Sequence, residues 1–316
     1  MNTKVNMKTI NEEFKTPPSY KKLCLAFVIV GILAFILALK LYPERAWANF
    51  LINNFYFISL ALSGAFIISL QYLVGGSWIS PFKRIPEAFT AFLPYGFLLM
   101  GALLLGIHSL YEWTHHDVVQ HDPILLAKSV YLNPQFFIIR LCLFFAIWYL
   151  TSGQLIRLSR RQDLKGSTPS LLRSQTKAAA IFVITFAFSY ALASFDWIMS
   201  VEPHWFSTIF AVYCFSGMFV NGLVMVVLSL LVLQHLGYLK DVINENHYHD
   251  LGKMIFGFST FWAYIWFSQY MLIWYSNIPE ETIYYVIRDQ NSWDWFFYAN
   301  LIFNWGVPFL ALMPRG

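Results

Sequence analysis

The sequence predicts an all-α, polytopic membrane protein. Three observations carry that prediction. The 316 residues are 58% hydrophobic, only 12% are charged, and mean hydropathy is +0.54, a balance suited to lipid rather than water. Apolar runs of about 20 residues, the length needed to cross a bilayer as helix, recur along the chain. The runs are continuous, not alternating, and an open sheet edge is not viable in lipid, so helices are the spanning elements.

Taken in order, the runs place spans at Lys22–Tyr42, Phe50–Leu73, Ala88–Tyr111 and Pro134–Ile156. Four more follow, at Thr176–Met199, Phe206–Leu236, Leu251–Tyr275 and Trp293–Leu312, giving about eight transmembrane helices. Asn133 before Pro134 has the composition of an N-cap and first turn, and Glu202 and Pro203 precede the sixth span. Pro94 and Pro308 fall within spans, where kinks supported by neighbouring helices are expected.

The loops divide by charge. Lys4, Lys8, Lys15, Lys21, Lys22, Lys83, Arg84, Arg157, Arg160, Arg161, Lys165, Arg173, Lys177, Lys240 and Lys253 fall on one side, whereas Lys40, Arg45, Lys128 and Arg288 fall on the other. The positive-inside rule then places the amino terminus and a long Arg157–Lys177 loop in the cytoplasm. The opposite loops are acidic, carrying Glu112, Asp117, Asp122, Glu202, Glu280, Glu281 and Asp289. A polar stretch precedes the first span and no small-residue cleavage site follows it, so the first span reads as part of the mature protein. The basic segment around Arg160 and Arg161 reads first as a topology determinant and second as a contact for anionic lipid or a partner. No nucleic-acid motif or Gly-rich phosphate loop is present.

Ionisable groups within or beside the spans are costly unless paired or hydrated, which makes them informative. His108 lies near the outer end of the third span, with Glu112 and His115 at helical spacings of four and seven. Arg140 lies inside the outer end of the fourth span, and Asp196 near the outer end of the fifth, followed by Glu202 and His204. His108, Arg140, Asp196 and His204 are expected to converge in the outer third of the membrane, with Arg140 neutralising Asp196 or Glu112. Imidazoles and carboxylates at one depth suit a proton relay or a quinone headgroup site, because quinol oxidation releases two protons to acceptors. Trp197, Trp205, Tyr190 and Tyr213 lie close by in sequence and could hold a flat ring. The structural alternative is an Arg140–Asp196 ion pair with histidines in wet loops.

On the other side, His249, Asp250 and Lys253 open the seventh span, which continues with Tyr264, Ser268, Gln269 and Tyr275. These could line a hydrogen-bonded proton path from the cytoplasm, or serve ordinary interhelical bonding. Cys24, Cys142 and Cys214 are isolated within apolar stretches, so they form no disulfide framework, and neither they nor the histidines give a zinc or haem ligand pattern. The chain is therefore expected to bind no redox cofactor or metal of its own.

Two long stretches, FDWIMSVEPHWFSTIF at Phe195–Phe210 and HDLGKMIFGFSTFWAYIWFSQYMLIWYSNIPEET at His249–Thr282, resemble a large membrane subunit of bacterial alternative complex III. That complex is a quinol:cytochrome c oxidoreductase, and its large membrane subunits belong to the polysulfide-reductase membrane-subunit family. The similarity runs over most of the chain from the second span onward. It implies two four-helix bundles with flanking helices: residues 1–45 as cytoplasmic segment and first span, 46–200 as the first bundle and 201–316 as the second. The family continues for two more helices, so the second bundle is expected to be incomplete where the chain stops after Met313, Pro314, Arg315 and Gly316.

The resemblance further implies a bacterial inner membrane location, a homologous sister subunit that is the better host for the catalytic quinol site, and partner subunits carrying iron–sulfur clusters and haem c. A terminal oxidase is a further implied partner. Two readings from other classes stand beside it: an ion or solute transporter, weakened by a nearly neutral midplane, and a purely structural anchor for peripheral redox subunits.

Overall fold

The computed structural model describes residues 17–76, 78–240, 242–289 and 294–313, and these are helical with no strand. The sequence-based assignments at Lys4, Lys8, Lys15, Trp293, Pro314, Arg315 and Gly316 lie outside the described residues. The helices are α1 (Pro18–Leu41), α2 (Pro43–Val74), α3 (Ser80–Leu110), α4 (Pro134–Lys165), α5 (Pro169–Trp197) and α6 (Phe210–His235). They continue as α7 (Glu245–Ser276), α8 (Pro279–Arg288) and α9 (Asp294–Leu312). Seven of them, α1 to α6 and α9, are long and apolar enough to cross a membrane.

The eighth expected span is α7. Its 32 residues make a helix of about 48 Å, ample for a bilayer. It falls outside the set of seven because Trp262, Tyr264, Trp266, Gln269, Tyr270, Trp274 and Tyr275 dilute its aliphatic content. Between α7 and α9, the amphipathic α8 carries Glu280 and Glu281 in its first turn and buries no residue fully.

Helix ends extend beyond the apolar cores. The segment expected to be a long Arg157–Lys177 loop is mostly helix: α4 runs to Lys165, α5 begins at Pro169, and only 166–168 connect them. Arg, Leu, Gln and Lys in that stretch are good helix formers. Gly166 turns the chain at φ 76°, and the Thr168 side chain then caps α5 by accepting from Leu171 N. At the other end of α4, Asn133 Oδ1 accepts from Phe136 N at 2.9 Å, the N-cap its sequence suggested. Pro94 and Pro308 both follow irregular turns. Around Pro94, α3 breaks into short α and 3-10 turns, and in α9 a π-turn at Ile302–Gly306 precedes Pro308, where the missing N–H and ring bulk disturb regular bonding.

Helices α2, α3, α4 and α5 pack around one core, and α6 lies against α2 and α5. Phe66, Phe182, Phe186, Phe215 and Phe219 form its aromatic centre, with Trp148 and Trp197 buried beside them. Two glycines let backbones approach. A Cβ on Gly64 would meet the Pro86 carbonyl at 2.1 Å, and one on Gly222 would meet Ser63 Oγ at 2.3 Å, so α2 touches both α3 and α6 through small residues. Helix α7 packs against α6, and α9 against α7. Helix α1 packs on α2 alone among the strong contacts and has no buried residue.

The connections 111–133, 198–209 and 277–289 share the membrane end rich in carboxylates, here the acidic end. The described parts of three further connections, 75–76 with 78–79, 166–168, and 236–240 with 242–244, share the other, the basic end.

Candidate functional site

At the acidic end, Arg140 projects from the second turn of α4 and Asp196 from the last turn of α5. Arg140 Nε donates to Asp196 Oδ2 at 2.5 Å, and the two side chains are 5% and 1% exposed. Arg140 Nη1 also donates to the Tyr131 carbonyl at 2.8 Å. The guanidinium carbon lies 3.9 Å from the Tyr131 ring centroid and 4.5 Å from that of Phe136, so aromatic faces supply the rest of its coordination. Arg140 Nη2 and Asp196 Oδ1 have no hydrogen-bond partner among the described residues. The pair therefore keeps one donor and one acceptor beyond its own bond. The Tyr131 phenol is pushed above its ordinary value by burial and then by the Asp196 charge.

A second layer fastens this end. Tyr111 OH donates to the Trp197 carbonyl at 2.9 Å, Trp113 Nε1 to the Ser200 carbonyl at 3.2 Å, and Lys128 Nζ to the Pro203 carbonyl at 2.6 Å. Ser200 Oγ donates to the Asp196 carbonyl. Burial holds the Lys128 ammonium below its ordinary value, opposed by Asp122.

The expected four-residue convergence is only partly present. Arg140 and Asp196 meet, whereas His204 Nε2 pairs at 2.5 Å with Asp122 Oδ2 across two connections of the acidic end, where both are partly exposed. Asp122 caps the short helix Pro123–Lys128 through Ile124 N and Leu125 N. The hydrogen bond from His204 is the main cause holding its carboxyl below the usual range. His108 is exposed and makes a separate group: its Nδ1 lies 3.0 Å from Thr114 Oγ1, and His115 Nε2 donates to its carbonyl at 2.8 Å. The expected continuous helical face of His108, Glu112 and His115 does not form, because helix ends at Leu110 and Tyr111 is extended. Glu112 and Glu202 are exposed.

The expected path along α7 is not assembled as a chain of contacts. Tyr264 and Tyr275 are 63% and 82% exposed, Gln269 is buried on another face, and no hydrogen bond joins Tyr264, Ser268 and Tyr275 among the described residues. His249, Asp250 and Lys253 are exposed, with Lys253 Nζ 3.5 Å from Asp250 Oδ1. No group of three or more His, Cys, Asp or Glu among the described residues could hold a metal.

Sequence reasoning missed a cavity of about 650 Å³ between α7, α8 and α9, walled by Tyr270, Tyr285, Phe297 and Tyr298 with Arg288 and Asp289. An adjoining chamber of about 270 Å³ adds Tyr213, Gln269 and Asn300. Arg288 stacks on Tyr284 at 3.4 Å and donates to its carbonyl at 2.6 Å. Tyr284 in turn stacks on Trp205 at 4.0 Å, so the chamber wall continues into the segment after Asp196. The aromatic density of 284–298 was the available signal. No protein-family model matches the chain, and no curated protein matches it.

Proposed function

We propose that the chain is an integral membrane subunit of a quinol:cytochrome c oxidoreductase of the alternative complex III type. In this reading it contributes quinol-linked proton transfer and anchors redox partners. It binds no cofactor itself: quinol or quinone is the substrate, and iron–sulfur clusters and haem c belong to partner subunits beside a homologous sister. The location is the bacterial inner membrane with the amino terminus cytoplasmic, which sets the acidic end outside.

The observation that carries the reading is the buried Arg140–Asp196 pair with its spare donor and acceptor. When a quinol is oxidised, two electrons leave to the partner cofactors and two protons need acceptors. Asp196 is a proton site at the right depth, Arg140 fixes its orientation, and Asp122 with His204 offers an exchangeable relay at the surface. The aromatic cavity between α7, α8 and α9, at the same membrane end but lined by neither Arg140 nor Asp196, is of the size that holds small organic ligands. Asp196→Asn in the assembled complex is expected to slow quinol-dependent cytochrome reduction or its proton release. A complex that assembles with this substitution and turns over normally overturns the proton-transfer role. Purification without haem or iron–sulfur partners would instead favour a transporter.

A further inference from the structure

The basic end holds a separate cavity, of about 500 Å³, between α3 and α4. Arg84, Arg157 and Arg160 line it together with Glu87, Thr90, Ser152 and Gly153. Arg157 and Arg160 stand one helical turn apart on α4, both exposed, and neither has an acidic partner among the described residues. Glu87, the carboxylate in the lining, is already paired with Arg84, which also reaches Asp163. The polar rim therefore keeps a net positive charge that the protein does not neutralise.

This rim opens into a second groove. Pro94 and Tyr149 line both the charged cavity and an adjoining apolar one of about 470 Å³, bounded by Leu93, Phe97, Leu98, Cys142 and Phe145. The groove follows from the sequence. The broken course of α3 and the small residues Ala88, Ala91, Ala146 and Gly153 keep side chains from filling the space between the two helices. From Arg157 to Cys142 the axial rise is about 22 Å, more than half of the roughly 30 Å hydrocarbon thickness. A cationic headgroup clamp thus sits over an apolar trough deep enough for one leaflet's acyl chain.

We infer that the α3–α4 groove is a binding site for an anionic phospholipid, with Arg157 and Arg160 on its phosphate and an acyl chain along Pro94, Phe97, Phe145 and Tyr149. Charge complementarity selects this occupant: a zwitterionic lipid brings its own cation to a rim already rich in guanidinium. The site lies at the opposite membrane end from Arg140–Asp196, so it stands or falls independently of the proton-transfer reading.

The test is native mass spectrometry of the full chain, or of its complex, in detergent titrated with phosphatidylglycerol or with phosphatidylcholine of identical chains. Retention of phosphatidylglycerol is expected to exceed that of phosphatidylcholine at least severalfold. The double variant Arg157→Gln/Arg160→Gln is expected to lower it to the phosphatidylcholine level, while Arg173→Gln/Lys177→Gln at the same membrane end leaves it unchanged. Gly153→Leu, at a position whose Cβ meets no atom within 4 Å, should reduce retention by filling the groove while keeping the fold. Equal retention of both lipids, undiminished retention in the double arginine variant, or displacement of phosphatidylglycerol by millimolar inorganic phosphate would overturn the lipid assignment.

Discussion

Both ends of the membrane-spanning region carry arginine–aspartate pairs, yet the two pairs live under different physics. At the acidic end Arg140 and Asp196 are 5% and 1% exposed, joined at 2.5 Å and closed over by aromatic rings. At the basic end Arg84 and Asp163 are 41% and 47% exposed, with Lys83 also 2.9 Å from Asp163. Water and salt screen the second set, whereas desolvation makes each member of the first dependent on the other. Burial, rather than the presence of charge, decides where a substitution will be felt.

Removing one partner of the buried pair should have the largest effect. Asp196→Ala leaves a guanidinium in a dry site and should cost about 3–5 kcal/mol, seen as a lowered thermal midpoint in detergent. The double variant Arg140→Met/Asp196→Leu should regain most of that stability. A single variant as stable as the parent would dissolve the contrast between the ends.

Next in size is Gly64→Leu, which drives a side chain into the Pro86 carbonyl and should cost about 1–3 kcal/mol or more by the same measurement. This effect is steric and should be indifferent to salt. Asp163→Ala, by contrast, should change stability by less than about 1 kcal/mol, and the difference should shrink as ionic strength rises.

The smallest effect is local. Because the Asp122 carboxyl is held below its usual range by His204, the clasp is present above the ordinary carboxylate value, near 3.9, and is lost as pH falls through the lowered value. Hydrogen exchange of 116–128, corrected for intrinsic rates, should show protection disappearing in that acid window. His204→Ala should move the loss upward toward the ordinary carboxylate value.

Much of this architecture is legible from apolar run length, because a span has to be continuous and about twenty residues long. Arg140 and Asp196 were legible as partners because isolated charges at that depth are costly. The rest required three dimensions. His204 chose Asp122, which sits on a surface loop where charge is cheap and sequence position gives no constraint. The Arg157–Lys177 stretch read as a loop because it is polar, yet helix propensity and the Thr168 cap keep it helical beyond the bilayer. The α7–α8–α9 cavity is formed by residues from three helices, a conjunction that no single periodicity encodes.

The composition of α7 bears on how the chain enters the membrane. Partitioning from an aqueous channel into lipid is graded by apolarity, and indole, phenol and carboxamide groups in mid-segment weaken it. Among the described residues α7 is the one long helix outside the spanning set, and it lies along α6, with Trp262 packed beside Val220 and Tyr213. Its insertion therefore depends on a neighbour already in place: α6 and α7 should enter as a helical hairpin, the earlier helix shielding the polar groups of the later. By length and composition α1 to α6 and α9 each carry enough apolarity to cross a membrane, so among the long helices this dependence on a partner is expected of α7.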